Sequence, residues 1–129
     1  GYLKINSNNA LTNLDGLGAL TSVGNDLEVS INAALTSLSG LSSINSLGGG
    51  LFIAYNKALI NLDGLNAISS VDGSLRIVSN AALTDLDGLN SITSVGGDLQ
   101  VLSNDALTNL NGFSSITSVG SYLKIQGND

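Results

Sequence analysis

From Leu27 to Gly50, apolar side chains stand at Leu27, Val29, Leu35, Leu38, Leu41, Ile44 and Leu47, separated mostly by Ser, Thr, Asn, Gly or a charge. Leu27 and Val29 alternate with polar neighbours, as a half-buried strand requires. The remainder recur at every third residue, which fits neither the strand period of about 2 nor the helical period of about 3.6. That spacing predicts short extended segments joined by tight corners, each sending one residue inward. An α-helix is disfavoured by the intervening Ser, Thr, Asn and Gly. Glycine also recurs in mid-stretch at Gly16, Gly40, Gly64, Gly88 and Gly112, where a helix would lose about 1 kcal/mol relative to alanine.

The same pattern returns with a 24-residue period along the whole chain. Leucine occupies 3, 27, 51, 75, 99 and 123, and asparagine follows at Asn8, Asn32, Asn56, Asn80, Asn104 and Asn128. A fixed period of this length marks one supersecondary unit stacked on itself. The predicted fold is all-β, a single β-solenoid array of about five coils over residues 1–129. Its repeats run approximately 1–24, 25–48, 49–72, 73–96 and 97–120, with a partial 121–129. At about 4.8 Å per coil the stack is roughly 25 Å long. A leucine-rich repeat horseshoe is the alternative, since one class of that repeat has a unit of the same length. Against it, leucine here follows asparagine by three residues instead of two, and the rest of the unit is poor in helix formers.

Polar columns run beside the apolar ones. An asparagine at a corner can donate and accept with the backbone of its own and adjacent coils, so the six asparagines are expected to form a structural ladder. The serines at 22, 46, 70, 94 and 118 are given the same role. Asp15, Ser39, Asp63, Asp87 and Asn111 each precede glycine. The pair reads as a turn, the side chain capping it and the glycine taking positive φ. A calcium site is the alternative reading of stacked carboxylates, although Ser39 and Asn111 interrupt the column.

Composition narrows the function classes. Histidine, cysteine, methionine, tryptophan and proline are absent, which removes the commonest general base, thiolate chemistry and soft metal ligands. No catalytic residue, metal site or cofactor is assigned. Four basic residues against ten acidic give a net charge of −6, which argues against nucleic acid as a partner. No apolar run reaches the roughly 18 residues needed to span a bilayer, so membrane insertion is not expected. An uninterrupted repeat without irregular insertions also offers no obvious cleft for an enzyme.

The unit ITSVGGDLQVLSNDALTNLNGF (92–113) resembles the receptor L-domain family. Its members include ligand-binding domains of growth-factor receptors, fungal cell-wall proteins and bacterial surface proteins with long tandem arrays. The resemblance covers essentially the whole chain and implies a right-handed solenoid in an extracellular or cell-surface setting. The cysteine-rich flanks of the receptor members are missing here, so the regularity is closer to the bacterial arrays.

Function in a repeat protein is expected where columns stop being uniform. The outward strand positions read Lys4, Glu28, Phe52, Arg76, Gln100, Lys124 and Asn6, Ser30, Ala54, Val78, Leu102, Gln126. Phe52, Ala54, Tyr55, Val78 and Leu102 make a candidate contact face for a protein or glycan. Ice binding is a lesser alternative, resting on the column Thr12, Thr36, Thr84 and Thr108, which Ile60 breaks. Neither end carries a polar cap, and Tyr2-Leu3-Lys4-Ile5 is matched by Tyr122-Leu123-Lys124-Ile125. The ends are therefore expected to be covered by further repeats of the same chain or by copies associating end to end. The resulting expectation is a non-enzymatic structural module, a stiff rod in a surface protein or a head-to-tail filament. An adhesive module is the alternative.

Overall fold

A computed structural model of the chain describes residues 1–128. Asp129, the last residue of the partial repeat, lies outside the described residues. Each coil opens on a four-residue strand: β1 (Leu3–Asn6), β3 (Leu27–Ser30), β5 (Leu51–Ala54), β7 (Leu75–Val78), β9 (Leu99–Leu102) and β11 (Leu123–Gln126). A two-residue strand comes late in each complete coil: β2 (Ser22–Val23), β4 (Ser46–Leu47), β6 (Ser70–Val71), β8 (Ser94–Val95) and β10 (Ser118–Val119). The long strands form one parallel sheet in the order β1-β3-β5-β7-β9-β11, and the short ones form β2-β4 and β6-β8-β10. Every register equals one repeat, pairing Leu3 with Leu27, Leu27 with Leu51 and so on to Leu123 with Leu99. The chain is thus an all-β solenoid of about five coils, as the period predicts.

The inward columns make one continuous core. Leu27, Val29, Leu35, Leu38, Leu41, Ile44 and Leu47 are all buried, and the equivalent residues of the third and fourth coils repeat this. Each such side chain contributes roughly 1.5–3 kcal/mol by leaving water. Because like packs on like, the sum grows coil by coil through nearest neighbours.

The stretch with apolar residues at every third position is not extended. Leu35 donates its N–H to Asn32, Leu41 to Leu38 and Ile44 to Leu41. A spacing of three therefore reflects successive i→i−3 turns, whose period is about 3.0. Short 3-10 helices form at Asp15–Leu17, Ser39–Leu41, Asp87–Leu89 and Asn111–Phe113. In the third coil Gly64 takes φ +106°, and the segment closes as a turn instead.

The glycine column also has a different cause from the one expected. Of its five members only Gly64 has a positive φ. A Cβ on Gly40, Gly88 or Gly112 would stand 1.9, 2.0 or 1.8 Å from the carbonyl oxygen of Leu14, Leu62 or Leu86 in the coil before. Glycine is required because adjacent coils touch there backbone to backbone. Positive φ appears instead one residue before the asparagine column, at Ser7, Ile31, Tyr55, Ser79, Ser103 and Gly127, with values of 55–64°.

Candidate functional site

The asparagine side chains point into the stack at the end of each long strand. Asn56 Oδ1 accepts the backbone N–H of Asn32 at 3.1 Å and its side-chain amide at 3.2 Å. Asn56 Nδ2 donates to Val29 O at 2.8 Å and to Asn80 Oδ1 at 3.3 Å. The same pattern joins Asn8 to Asn32, Asn80 to Asn104 and Asn104 to Asn128. Asn32, Asn56, Asn80 and Asn104 are fully buried, and among the described residues no buried side-chain polar atom lacks a partner. The left-handed residue before each asparagine turns the chain out of the strand.

The turn caps lie two residues before the position expected. Asn13 Oδ1 accepts the Asp15 N–H at 3.2 Å, and Ser37, Asn61, Asp85 and Asn109 do the same for Ser39, Asp63, Asp87 and Asn111. The signal was present as an unbroken Asn/Ser/Asp column. It was masked by the Asp-Gly pairs beside it. The serines at 22, 46, 70, 94 and 118 stand on the outside of the short strands. Hydroxyls one residue earlier, Thr93 and Thr117, donate to the carbonyls of Ser69 and Thr93. Thr36, Thr84 and Thr108 likewise donate to residues 12, 60 and 84.

On the outer face of the long sheet the variable residues meet one another. Lys4 Nζ lies 2.9 Å from Glu28 Oε2, and Ser30 Oγ donates to Glu28 Oε1 at 2.6 Å. The Ser30 hydroxyl first, and Lys4 after it, hold the Glu28 carboxyl below its ordinary range, against the opposing effect of burial. The Phe52 ring lies over Gly50, where a Cβ would come within 2.6 Å of Cζ. Arg76 covers the same ring, its guanidinium carbon 5.7 Å from the centroid, and reaches Asp98 Oδ2 at 3.3 Å. The Gln100 amide donates to the Tyr122 hydroxyl.

These contacts divide the candidate face. Phe52 is half-buried under its own neighbours. Ala54, Val78 and Leu102 sit side by side in register on β5, β7 and β9, each half-buried, and form one apolar strip. Tyr55 is not on the strand. It occupies the left-handed corner after β5, 53% exposed, and groups with Ile31, Ala33, Lys57 and Asn9 in a separate shallow apolar depression. Among the described residues no helix is long and apolar enough to cross a membrane. Compared with known proteins, the chain matches no family model, no curated protein and no solved structure.

Proposed function

We propose that the chain is a non-enzymatic structural repeat module of an extracellular or cell-surface protein. The observation that carries this reading is the continuity of the interior. One in-register parallel sheet, one apolar core and one asparagine ladder run through every coil without an insertion. Such a unit extends by adding coils and resists bending, because each added coil repeats the same hydrogen bonds and burial. The coil faces at Leu123 and Ile125 are then met by further coils of the same kind, in a longer chain or another copy. The resemblance to receptor L domains supports the surface setting.

The second reading is an adhesive module, and the Ala54–Val78–Leu102 strip favours it. Ice binding has less support, because the threonine hydroxyls already donate within the solenoid. The two main readings separate in a binding experiment on arrays of glycans and extracellular-matrix proteins. The wild-type chain is compared with the Val78→Ser/Leu102→Ser variant after circular dichroism confirms that both are folded. A structural module gives no saturable binding that the variant loses. Saturable binding abolished by the two substitutions overturns the structural reading in favour of adhesion.

A further inference from the structure

The left-handed corners after the long strands carry a small residue in four coils: Ser7, Ser79, Ser103 and Gly127. In the second and third coils the same corner carries Ile31 and Tyr55, at φ 57° and 58°. A β-branched or aromatic side chain makes that backbone conformation more costly. Burial does not offset the cost, since Ile31 is 45% and Tyr55 53% exposed. The fold closes its corners with serine elsewhere, so it does not need these two side chains. A strained conformation that the framework does not require points to a use at the surface.

Ile31, Ala33, Tyr55 and Lys57, with Asn9 beside them, line a shallow depression of about 370 Å³ on the side of the stack. Ligand sites span about 300–1,000 Å³, so there is room for a small ligand. Among the described residues no cation covers the Tyr55 ring, whereas Arg76 covers that of Phe52. Lys4 pairs with Glu28 and Arg76 with Asp98, but Lys57 makes no ion pair among the described residues. Ala33 and Ala81 hold its position in the coils on either side, so neither brings a carboxylate there. The hydrogen bonds of this corner run through Asn56 and leave the Tyr55 hydroxyl and the Lys57 ammonium unused. An open aromatic face therefore stands beside an uncompensated positive charge.

From this we propose that the corner binds a carboxylated saccharide. The apolar C–H face of a pyranose ring rests on Tyr55 and Ile31. Its carboxylate pairs with Lys57, and a ring hydroxyl meets the Tyr55 hydroxyl. An extended acidic peptide matches the corner less well, because it is held chiefly by adding to a sheet edge. β3 and β5 are paired on both sides, and the Ile31 and Tyr55 N–H groups already donate to Ala54 O and Val78 O. The site goes beyond the structural reading and makes no use of the Ala54–Val78–Leu102 strip.

The test is a titration of the 15N-labelled chain with digalacturonic acid and with sialyllactose, followed through assigned amide NMR signals. Saturable shifts centred on residues 31–33 and 55–57 are expected with at least one probe. A Kd of about 1 mM is expected, because the net charge of −6 opposes an anion at long range. The methyl ester of the bound probe keeps the ring and loses the charge, so it is expected to bind about fivefold more weakly. Tyr55→Ser and Lys57→Ala install what adjacent coils carry, so both are expected to stay folded by circular dichroism. Each is expected to weaken binding about fivefold or more, and Lys57→Ala also removes the preference for the acid over its ester. The Val78→Ser/Leu102→Ser variant is expected to bind like wild type, which separates this site from the adhesive strip. No saturable shift with either probe up to about 20 mM, or shifts centred elsewhere, overturns the proposal. So does an unchanged Kd in Tyr55→Ser or Lys57→Ala, or loss of binding in Val78→Ser/Leu102→Ser. Equal binding of acid and ester, or equally tight binding of the dipeptide acetyl-Glu-Glu-amide, overturns the carboxylated saccharide as the occupant.

Discussion

Replacing Asn56 with alanine tests whether the ladder holds the coils together. The Asn56 side chain takes part in four hydrogen bonds inside the stack: two accepted from Asn32, one given to Val29 O and one given to Asn80 Oδ1. Asn56→Ala leaves the buried Asn32 N–H without an acceptor, which costs about 1–3 kcal/mol, and removes three further bonds worth about 0.5–1.5 kcal/mol each. Allowing for partial relaxation, the expected loss is about 3–5 kcal/mol, a large part of the roughly 5–15 kcal/mol that holds a typical domain. Asn8 is the control. It is exposed, and its amide donates only to Asn6 O and Asn32 Oδ1, so Asn8→Ala is expected to cost about 1 kcal/mol or less. Urea unfolding followed by far-UV circular dichroism, extrapolated linearly to water, measures both. Equal losses in the two variants, or a loss below about 1.5 kcal/mol for Asn56→Ala, would refute the claim that the buried amides carry the stack.

Three further outcomes follow from the same geometry. Gly88→Ala is expected to destabilise by several kcal/mol or prevent folding, because its Cβ would stand 2.0 Å from Leu62 O. Gly16→Ala, with nothing within 4 Å, should stay within about 0.5 kcal/mol of wild type; comparable urea midpoints for the two would remove the close-approach account. Ile31, a β-branched residue at φ 57° and 45% exposed, holds a conformation that costs an ordinary L-residue about 1–2 kcal/mol. Ile31→Asn is therefore expected to raise stability by about 1 kcal/mol, seen as a higher urea midpoint at unchanged slope, and a lower midpoint contradicts it. Glu28 has its pKa lowered in the folded state from an ordinary 4.5, so its contribution is present above that value and fades as pH falls through the lowered one. Because the Lys4 side of the pair is half open to water and Glu28 is only partly covered, this amounts to less than about 1 kcal/mol. Comparing the pH dependence of stability for Glu28→Gln and wild type between pH 2 and 6 measures it, and identical curves count against the interaction.

The outer face is less available for contacts than its composition implies. Phe52, Arg76 and Gln100 look from the sequence like variable outward positions. Arg76 in fact covers Phe52 and reaches Asp98, and Gln100 donates to Tyr122, each across adjacent coils. The apolar surface left on the outer face of the inner strands is the half-buried Ala54–Val78–Leu102 strip, with the corner depression at Ile31 and Tyr55 beyond the strand ends.

The repeat period determined that like coils stack, how many there are and which columns form the core, because a repeat without insertions can bury its apolar stripe only by stacking on itself. A solenoid was read over a horseshoe of the same period from the spacing of leucine after asparagine and the lack of helix formers. The period also placed the asparagines where unmet backbone groups would collect. The reasons behind individual columns were decided by the tertiary structure. A spacing of three is compatible with extended corners or with 3-10 turns, and only the bonds from Leu41 to Leu38 and from Ile44 to Leu41 distinguish them. The glycines after Asp15 and its equivalents read as positive-φ turns, yet Gly40, Gly88 and Gly112 are dictated by the carbonyls of Leu14, Leu62 and Leu86, each in the preceding coil. The left-handed corner was hidden for a related reason, since Ile31 and Tyr55 occupy it against their own preference. The coils on either side hold the backbone in that path, and local propensity records nothing about a neighbour one full coil away.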